Sequence, residues 1–335
     1  MKNILQLIIV IAVVILVTSG ITFYLWTDSL LSYNTPKQIR VIVPLPAGSG
    51  LDLLARVFAD ELKMKLNAQV VVINKNGGSG TLATEYFIKE SSKYSVDILY
   101  HSALIVSATS TIKDAKYSIS NDLIPLSIIT ESPLILVVNN NKYNTFDHFI
   151  NTMRDNKIEA KYAIIGIGGG SHFAAIRLGQ SFDIKIRGIP YKNPQQAYTD
   201  LINNEIDFMV TTIQSVKGII EAGYIKPLLQ MSAKRSNSIK SIPAINEFGY
   251  NTYMTFWNGV FVSKNTPSDV IEEYKIMIEQ IKQSKSFQKS IEVLGGDISD
   301  NLSIDELKSF NQDEILLYRK IAKENDLCIN EINCK

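Results

Sequence analysis

Pro44-Leu45-Pro46-Ala47-Gly48-Ser49-Gly50-Leu51-Asp52 and Gly166-Ile167-Gly168-Gly169-Gly170-Ser171-His172 are the two stretches that decide how this chain folds. Each sits between a short apolar run and a run with helical spacing. Glycine lets the main chain approach a ligand closely, and a helix start leaves unpaired N–H groups. Such a turn holds a carboxylate or phosphate without a cationic side chain. Two of them in separate αβ units predict a small anion gripped between two lobes.

The first turn offers Ala47, Gly48, Ser49 and Gly50, with the N–H groups of Leu51 and Asp52 at the helix start. Asp52 is expected to cap its own helix rather than touch an anion. The second offers Gly168, Gly169, Gly170, Ser171 and His172. Hydrogen bonds to a charged group contribute about 1.5–3 kcal/mol each. Three or four would carry a large share of the ~8 kcal/mol that micromolar binding requires. Gly166-Ile167-Gly168 also has the opening spacing of a dinucleotide fingerprint, but Ser171 stands where that pattern has Gly or Ala. His172 is either a pH-sensitive donor or a capping residue.

Working outward, residues 39–43, 70–73 and 98–100 read as strands, with helices over 51–66 and 81–89 between them. This βαβαβ alternation predicts a parallel sheet covered by helices. A second series follows, with strands at 134–138, 162–165, 186–189 and 208–210 and helices at 146–153, 171–182, 195–202 and 216–222. Residues 259–262 read as a strand returning to the first lobe. Thr266-Pro267 is expected to start a helix, with Thr266 as cap and Pro267 in the first turn. Ser303-Ile304-Asp305-Glu306 is a capping-box pattern. The pattern predicts an α/β fold of two lobes, with the second lobe inserted into the first. Residues 36–132 plus 256–327 form lobe I and residues 133–255 form lobe II, with crossings near Ser132 and Phe256.

The remaining candidates lie at strand ends. Tyr191 follows Pro190 and either offers its hydroxyl to the ligand or packs as an aromatic lid. Thr211 and Thr212 close another strand, and their hydroxyls face the cleft or bond their own backbone. Trp257 is expected to pack near a crossing rather than stack on ligand.

The whole chain bounds the function. Its 335 residues suffice for two α/β domains, and the net charge of +1 argues against a nucleic-acid partner. Residues 4–26 are almost wholly apolar and follow Lys2. As a helix they reach about 34 Å at ~1.5 Å per residue, enough for a bilayer core of ~30 Å. Thr18, Ser19 and Gly20 provide an imperfect cleavage site, while the length of the run, with Tyr24 and Trp26 at its edge, favours an uncleaved anchor. Residues 1–30 are thus a signal peptide or a membrane anchor, and the remainder is extracytoplasmic. Cys328 and Cys334, in the tail at 328–335, are either a small local disulfide or incidental thiols. His101, His148 and His172 show no metal spacing, and no hydrolytic triad or carboxylate pair is apparent.

The chain resembles the extracytoplasmic solute-binding proteins of tripartite tricarboxylate transporters, the Bug family. The landmarks run in the family's order. Ile39-Arg40-Val41-Ile42-Val43-Pro44 leads into the first turn. Val70-Val71-Val72-Ile73-Asn74 leads into Gly77-Gly78-Ser79-Gly80. Ser132-Pro133-Leu134 and Gly169-Gly170-Ser171-His172 follow, then Ile189-Pro190-Tyr191-Lys192 and Thr199-Asp200-Leu201. Ser232-Ala233-Lys234-Arg235, Trp257-Asn258-Gly259 and Asn265-Thr266-Pro267 complete the set, across roughly Pro36 to Asn325. The resemblance implies an α/β, two-lobed periplasmic-binding-protein-like (type II) fold with the ligand cleft between the lobes, and a hinge-closing binding protein, not an enzyme, that captures a small carboxylate for membrane permease subunits. It implies a monomer with no cofactor. Leu51 replaces a customary Thr, Thr211-Thr212 replaces Asp-Ser, and Asn193 replaces Gly. The segment 93–97 also departs from the usual glycine-tyrosine turn. These departures bear on the ligand more than on the fold. A ligand-sensing module for a signalling partner and an α/β enzyme with a phosphorylated cofactor are the competing functions.

Overall fold

Residues 39–43 are unbroken in buried or half-buried side chains, as a strand covered on both faces requires. The computed structural model describes residues 38–91, 96–112, 115–155, 158–251, 254–325 and 327. The apolar segment at 4–26 and both cysteines lie outside the described residues. Among the described residues, no helix is long and apolar enough to cross a membrane.

The strands are β1 (Gln38–Val43), β2 (Gln69–Asn74), β3 (Ile98–Ser102), β4 (Leu123–Asn139), β5 (Ala160–Ile164), β6 (Ile186–Pro190), β7 (Met209–Thr212), β8 (Ile225–Gln230), β9 (Thr255–Ser263) and β10 (Asp297–Ile298). The helices are α1 (Gly50–Leu66), α2 (Thr81–Glu90), α3 (Leu104–Thr111), α4 (Ile119–Asp122), α5 (Phe146–Asp155) and α6 (Gly170–Phe182). They continue as α7 (Pro194–Ile202), α8 (Ile213–Glu221), α9 (Ser268–Gln283), α10 (Lys285–Val293) and α11 (Ile304–Glu324).

β1 pairs parallel with β2 and β3, as the βαβαβ spacing predicts. The sheet does not stay parallel. β9 runs antiparallel to β3, and β4 antiparallel to β9. β4 carries the chain from one half of the molecule to the other and β9 brings it back, so the two must point in opposite directions. Leu123–Pro133 of β4 pairs with β9, whereas residues 134–139 pair with β7 and β8. The first half of β4 is not legible as a strand, because Pro125, Ser127, Glu131 and Pro133 interrupt its apolar pattern. Register shifts between Pro125 and Ser127 and between Ile128 and Thr130 accommodate the irregularity. β5 and β6 form a separate parallel pair, and Tyr162 of β5 bridges to Phe208.

Two caps test the local reading. Ser303 Oγ accepts from the Glu306 N–H at 3.2 Å while Glu306 Oε2 accepts from the Ser303 N–H at 2.7 Å, a complete capping box. The start of α9 differs from expectation. Pro267 occupies the cap position, the helix begins at Ser268, and the buried Thr266 hydroxyl has no partner.

The interior is not divided cleanly between the two halves. One buried cluster joins Ile42 and Phe87 to Phe149, Phe173 and Phe208, with Trp257 and Tyr318 between them. A second lies under α1, α9 and α10 and holds Leu51, Phe58 and Tyr100.

Candidate functional site

The first turn leaves β1 and enters α1. Ser49 is the cap, and its Oγ accepts from the Asp52 N–H at 3.3 Å. Asp52 is 1% exposed. Its Oδ2 accepts from the Gly48 N–H at 2.8 Å and from Arg56 Nε at 2.9 Å, and its Oδ1 accepts from Asn74 Nδ2 at 2.8 Å. Burial alone would raise the Asp52 pKa, but Arg56, Asn74 and the Gly48 N–H outweigh it and hold the carboxyl below its usual range. Asp52 thus binds the turn to itself. The Ser49 N–H donates to the Pro46 carbonyl at 3.1 Å. The N–H groups of Gly48, Ser49 and Asp52, expected to face an anion, are therefore used inside the turn. Those of Gly50 and Leu51 have no partner among the described residues. Ala47 sits exposed at the tip, and the Leu51 side chain is buried in the core.

The second turn enters α6 by the same logic. The Gly168 N–H donates to His172 Nδ1 at 3.1 Å, and the Gly169 N–H to the Gly166 carbonyl at 3.2 Å. The N–H groups of Gly170, Ser171 and His172 remain without partners among the described residues. Gly168 has φ +74°, and a Cβ there would lie 2.4 Å from Thr111. Only glycine fits that backbone and that approach.

His172 accepts a main-chain hydrogen bond, so its ring is neutral with the proton on Nε2. Burial pushes its pKa down to about 4. His101, wholly buried, is pushed down to about 4 by the same cause. Its Nδ1 accepts from the Ser102 N–H at 2.9 Å, and its Nε2 lies 3.4 Å from the Gly80 carbonyl. Both folded values lie below the ordinary 6.5. Between pH 6.5 and 4 the unfolded chain therefore binds more protons than the folded one, and stability falls as the pH drops through that window. We expect the unfolding free energy measured in urea to fall between pH 6.5 and pH 5, by on the order of 1–2 kcal/mol for each histidine. The His172→Asn variant should show a shallower decline, and an equal slope would refute the assignment.

The two turns meet a common line of contacts. A Cβ on Gly50 would stand 3.2 Å from Gln214 Cβ, 3.8 Å from Thr212 Oγ1 and 3.9 Å from Ser215 Oγ. Gln214 Nε2 donates to Ser132 Oγ at 2.8 Å. Ser132 pairs with Phe256 across β4 and β9. Phe256 lies 3.8 Å from the Cβ position of Gly170. The contacts thus run from Gly50 through Gln214, Ser132 and Phe256 to Gly170, and they join the helix starts of α1, α6 and α8.

The other candidates divide. Thr212 is the cap residue of α8, and its hydroxyl shares a 2.9 Å hydrogen bond with Ser215. Thr211 is half-buried on β7 opposite Ile135. The Tyr191 hydroxyl donates to Asp200 Oδ2 at 2.7 Å, so it is engaged within its own half. Trp257 is buried and donates from Nε1 to Glu314 Oε2 at 3.0 Å. Gln214 and Ser215 escaped the sequence reading, although Thr212 before Ile213 is a cap signal that would have started α8 earlier. No cluster of metal-ligating side chains occurs among the described residues.

The TctC family model, described as the tripartite tricarboxylate transporter family receptor, matches residues 54–327. Protein BugT of Bordetella pertussis is 26% identical over 291 residues, covering 86% of this chain and 89% of that protein. Among solved structures, an R. palustris protein with adipate aligns at a TM-score of 0.78 with 22% identity, covering 87% of this chain and 98% of the other. MatC from Rhodopseudomonas palustris with bound malate aligns at 0.74 with 18% identity, covering 85% and 99%. The shared fold is the mixed α/β, two-lobed one of periplasmic binding proteins.

Proposed function

This chain belongs to the TctC family of tripartite tricarboxylate transporter receptors, and we infer that it captures a small carboxylate in a cleft between two lobes and presents it to membrane permease subunits. The observation that carries this reading is the set of unpartnered N–H groups at two helix starts, Gly50 and Leu51 on α1 and Gly170, Ser171 and His172 on α6. Helix starts favour negative charge, and here they do so from opposite halves of the molecule. The adipate and malate held by the two structural neighbours support a carboxylate ligand.

In this reading lobe I comprises residues 36–132 and 256–327, and lobe II residues 133–255. Gly168 and Gly169 shape the second turn, Ala47, Gly48, Ser49 and Asp52 shape the first, and Thr211 and Thr212 supply hydroxyls. Tyr191 borders the site without offering its hydroxyl. The segment at 4–26 directs export, as a cleaved signal or a retained anchor, and the protein acts outside the cytoplasm as a monomeric binding protein rather than an enzyme. Isothermal titration against malate, adipate and citrate tests the proposal. Micromolar or tighter binding of at least one is expected. No heat with any of them, together with normal uptake in cells carrying Gly170→Asp, would sink it.

A further inference from the structure

Tyr318 lies on α11, far from both glycine turns in sequence. Its side chain is 1% exposed, and its ring packs on Phe173 of α6 with centroids 5.1 Å apart. The phenol oxygen has no hydrogen-bond partner among the described residues. The oxygen itself is not sealed from solvent, so its hydrogen bond is left to water or to a ligand.

Its position favours the ligand. The oxygen lies 3.6 Å from where a Cβ on Gly170 would stand. Cα–Cβ bonds on a helix tilt toward its N-terminus. That point is therefore off the start of α6, on the side to which the Gly170, Ser171 and His172 N–H groups are directed. A carboxylate offers about four acceptor sites, so three N–H donors leave room for one more.

We propose that Tyr318 contacts the ligand directly, its phenol O–H donating to the carboxylate oxygen seated at the start of α6. The proposal rests on the carboxylate-binding reading above and adds to it a side-chain donor carried by the C-terminal helix. Burial and the Glu314 charge push the Tyr318 pKa upward while Arg177 opposes them, so the phenol keeps its proton. α11 packs against α3 and β4 of the first half as well as α6 of the second. A ligand held by Tyr318 and by α6 is thus gripped by elements from both.

Tyr318→Phe removes the hydroxyl and keeps the ring on Phe173. With whichever of malate, adipate and citrate binds the full-length protein most tightly, titration should show affinity weakened by about 10- to 100-fold. The melting temperature of the ligand-free variant should be unchanged or higher. Unchanged affinity would overturn the proposal while leaving carboxylate binding intact. A lower ligand-free melting temperature would overturn it too, because the hydroxyl would then have a partner within the protein. If the parent protein binds none of the three acids, the carboxylate reading fails, and the Tyr318 assignment fails with it because no anion is present to accept.

Discussion

Gly170→Ala should severely weaken carboxylate capture while leaving the protein folded. The backbone at this position is ordinary helix, and an added Cβ meets only ordinary van der Waals contacts, at 3.6 Å to Tyr318 and 3.8 Å to Phe256. Stability should therefore hold within about 0.5 kcal/mol, as for a surface change, or rise slightly, since alanine is the better helix former. The methyl group nevertheless occupies the space off the start of α6, where the ligand oxygen must sit. It displaces the anion from the Ser171 and His172 N–H groups. Losing two charge-assisted hydrogen bonds amounts to about 3–6 kcal/mol, which weakens a micromolar ligand at least a hundredfold. Titration with the best-binding acid, beside a melting curve, separates the two effects. Near-normal affinity in a well-folded variant would place the ligand somewhere else.

A second substitution, two residues earlier, should do the reverse. Gly168→Ala attacks stability first, because an alanine there must adopt φ +74° and would set its Cβ 2.4 Å from Thr111. The left-handed backbone costs about 1–2 kcal/mol, and overpacking adds about 1–3 kcal/mol. The clash runs from the second turn to α3. Part of it should be relieved by Thr111→Gly, leaving mainly the backbone cost. Urea unfolding of both single variants and the double variant forms the test. Strictly additive effects would show that the two residues do not press on one another.

Much of the architecture was legible before any coordinates. The glycine turns stood out because glycine and serine before an apolar helical stripe have few structural uses other than a strand-to-helix turn. Ser303 and Glu306 announced their helix because a capping box is a local motif whose partners are three residues apart. The strands at 39–43 and 98–100 were visible because burial on both faces demands continuous apolar residues, although the second runs on through His101 and Ser102. The crossing half of β4 was not, since its prolines and polar residues are tolerated only through bulges and the pairing of β9. The start of α9 was misplaced by one residue, because Pro267 serves as the cap instead of the first helical residue.

The site was less legible than the fold. From composition, every N–H of the first turn looked available, yet Asp52 and Pro46 take up two of them and Ser49 a third. Leu51 looked like a change in the lining of the cleft, but its side chain is buried in the core. The Tyr191 hydroxyl belongs to Asp200. Tyr318 carries no local signal at all, since an aromatic residue on an amphipathic helix reads as core.

The sequence by itself determined the α/β alternation, the two glycine-rich strand-to-helix turns and the family, because strand periodicity, helix caps and glycine placement are decided within a few residues. Only the tertiary structure decided which main-chain donors stay free and which distant groups, Gln214, Phe256 and Tyr318, stand beside them. Hydrogen-bond partners and close approaches are matters of distance in space, and residues 170 and 318 become neighbours only when α11 folds back against α6.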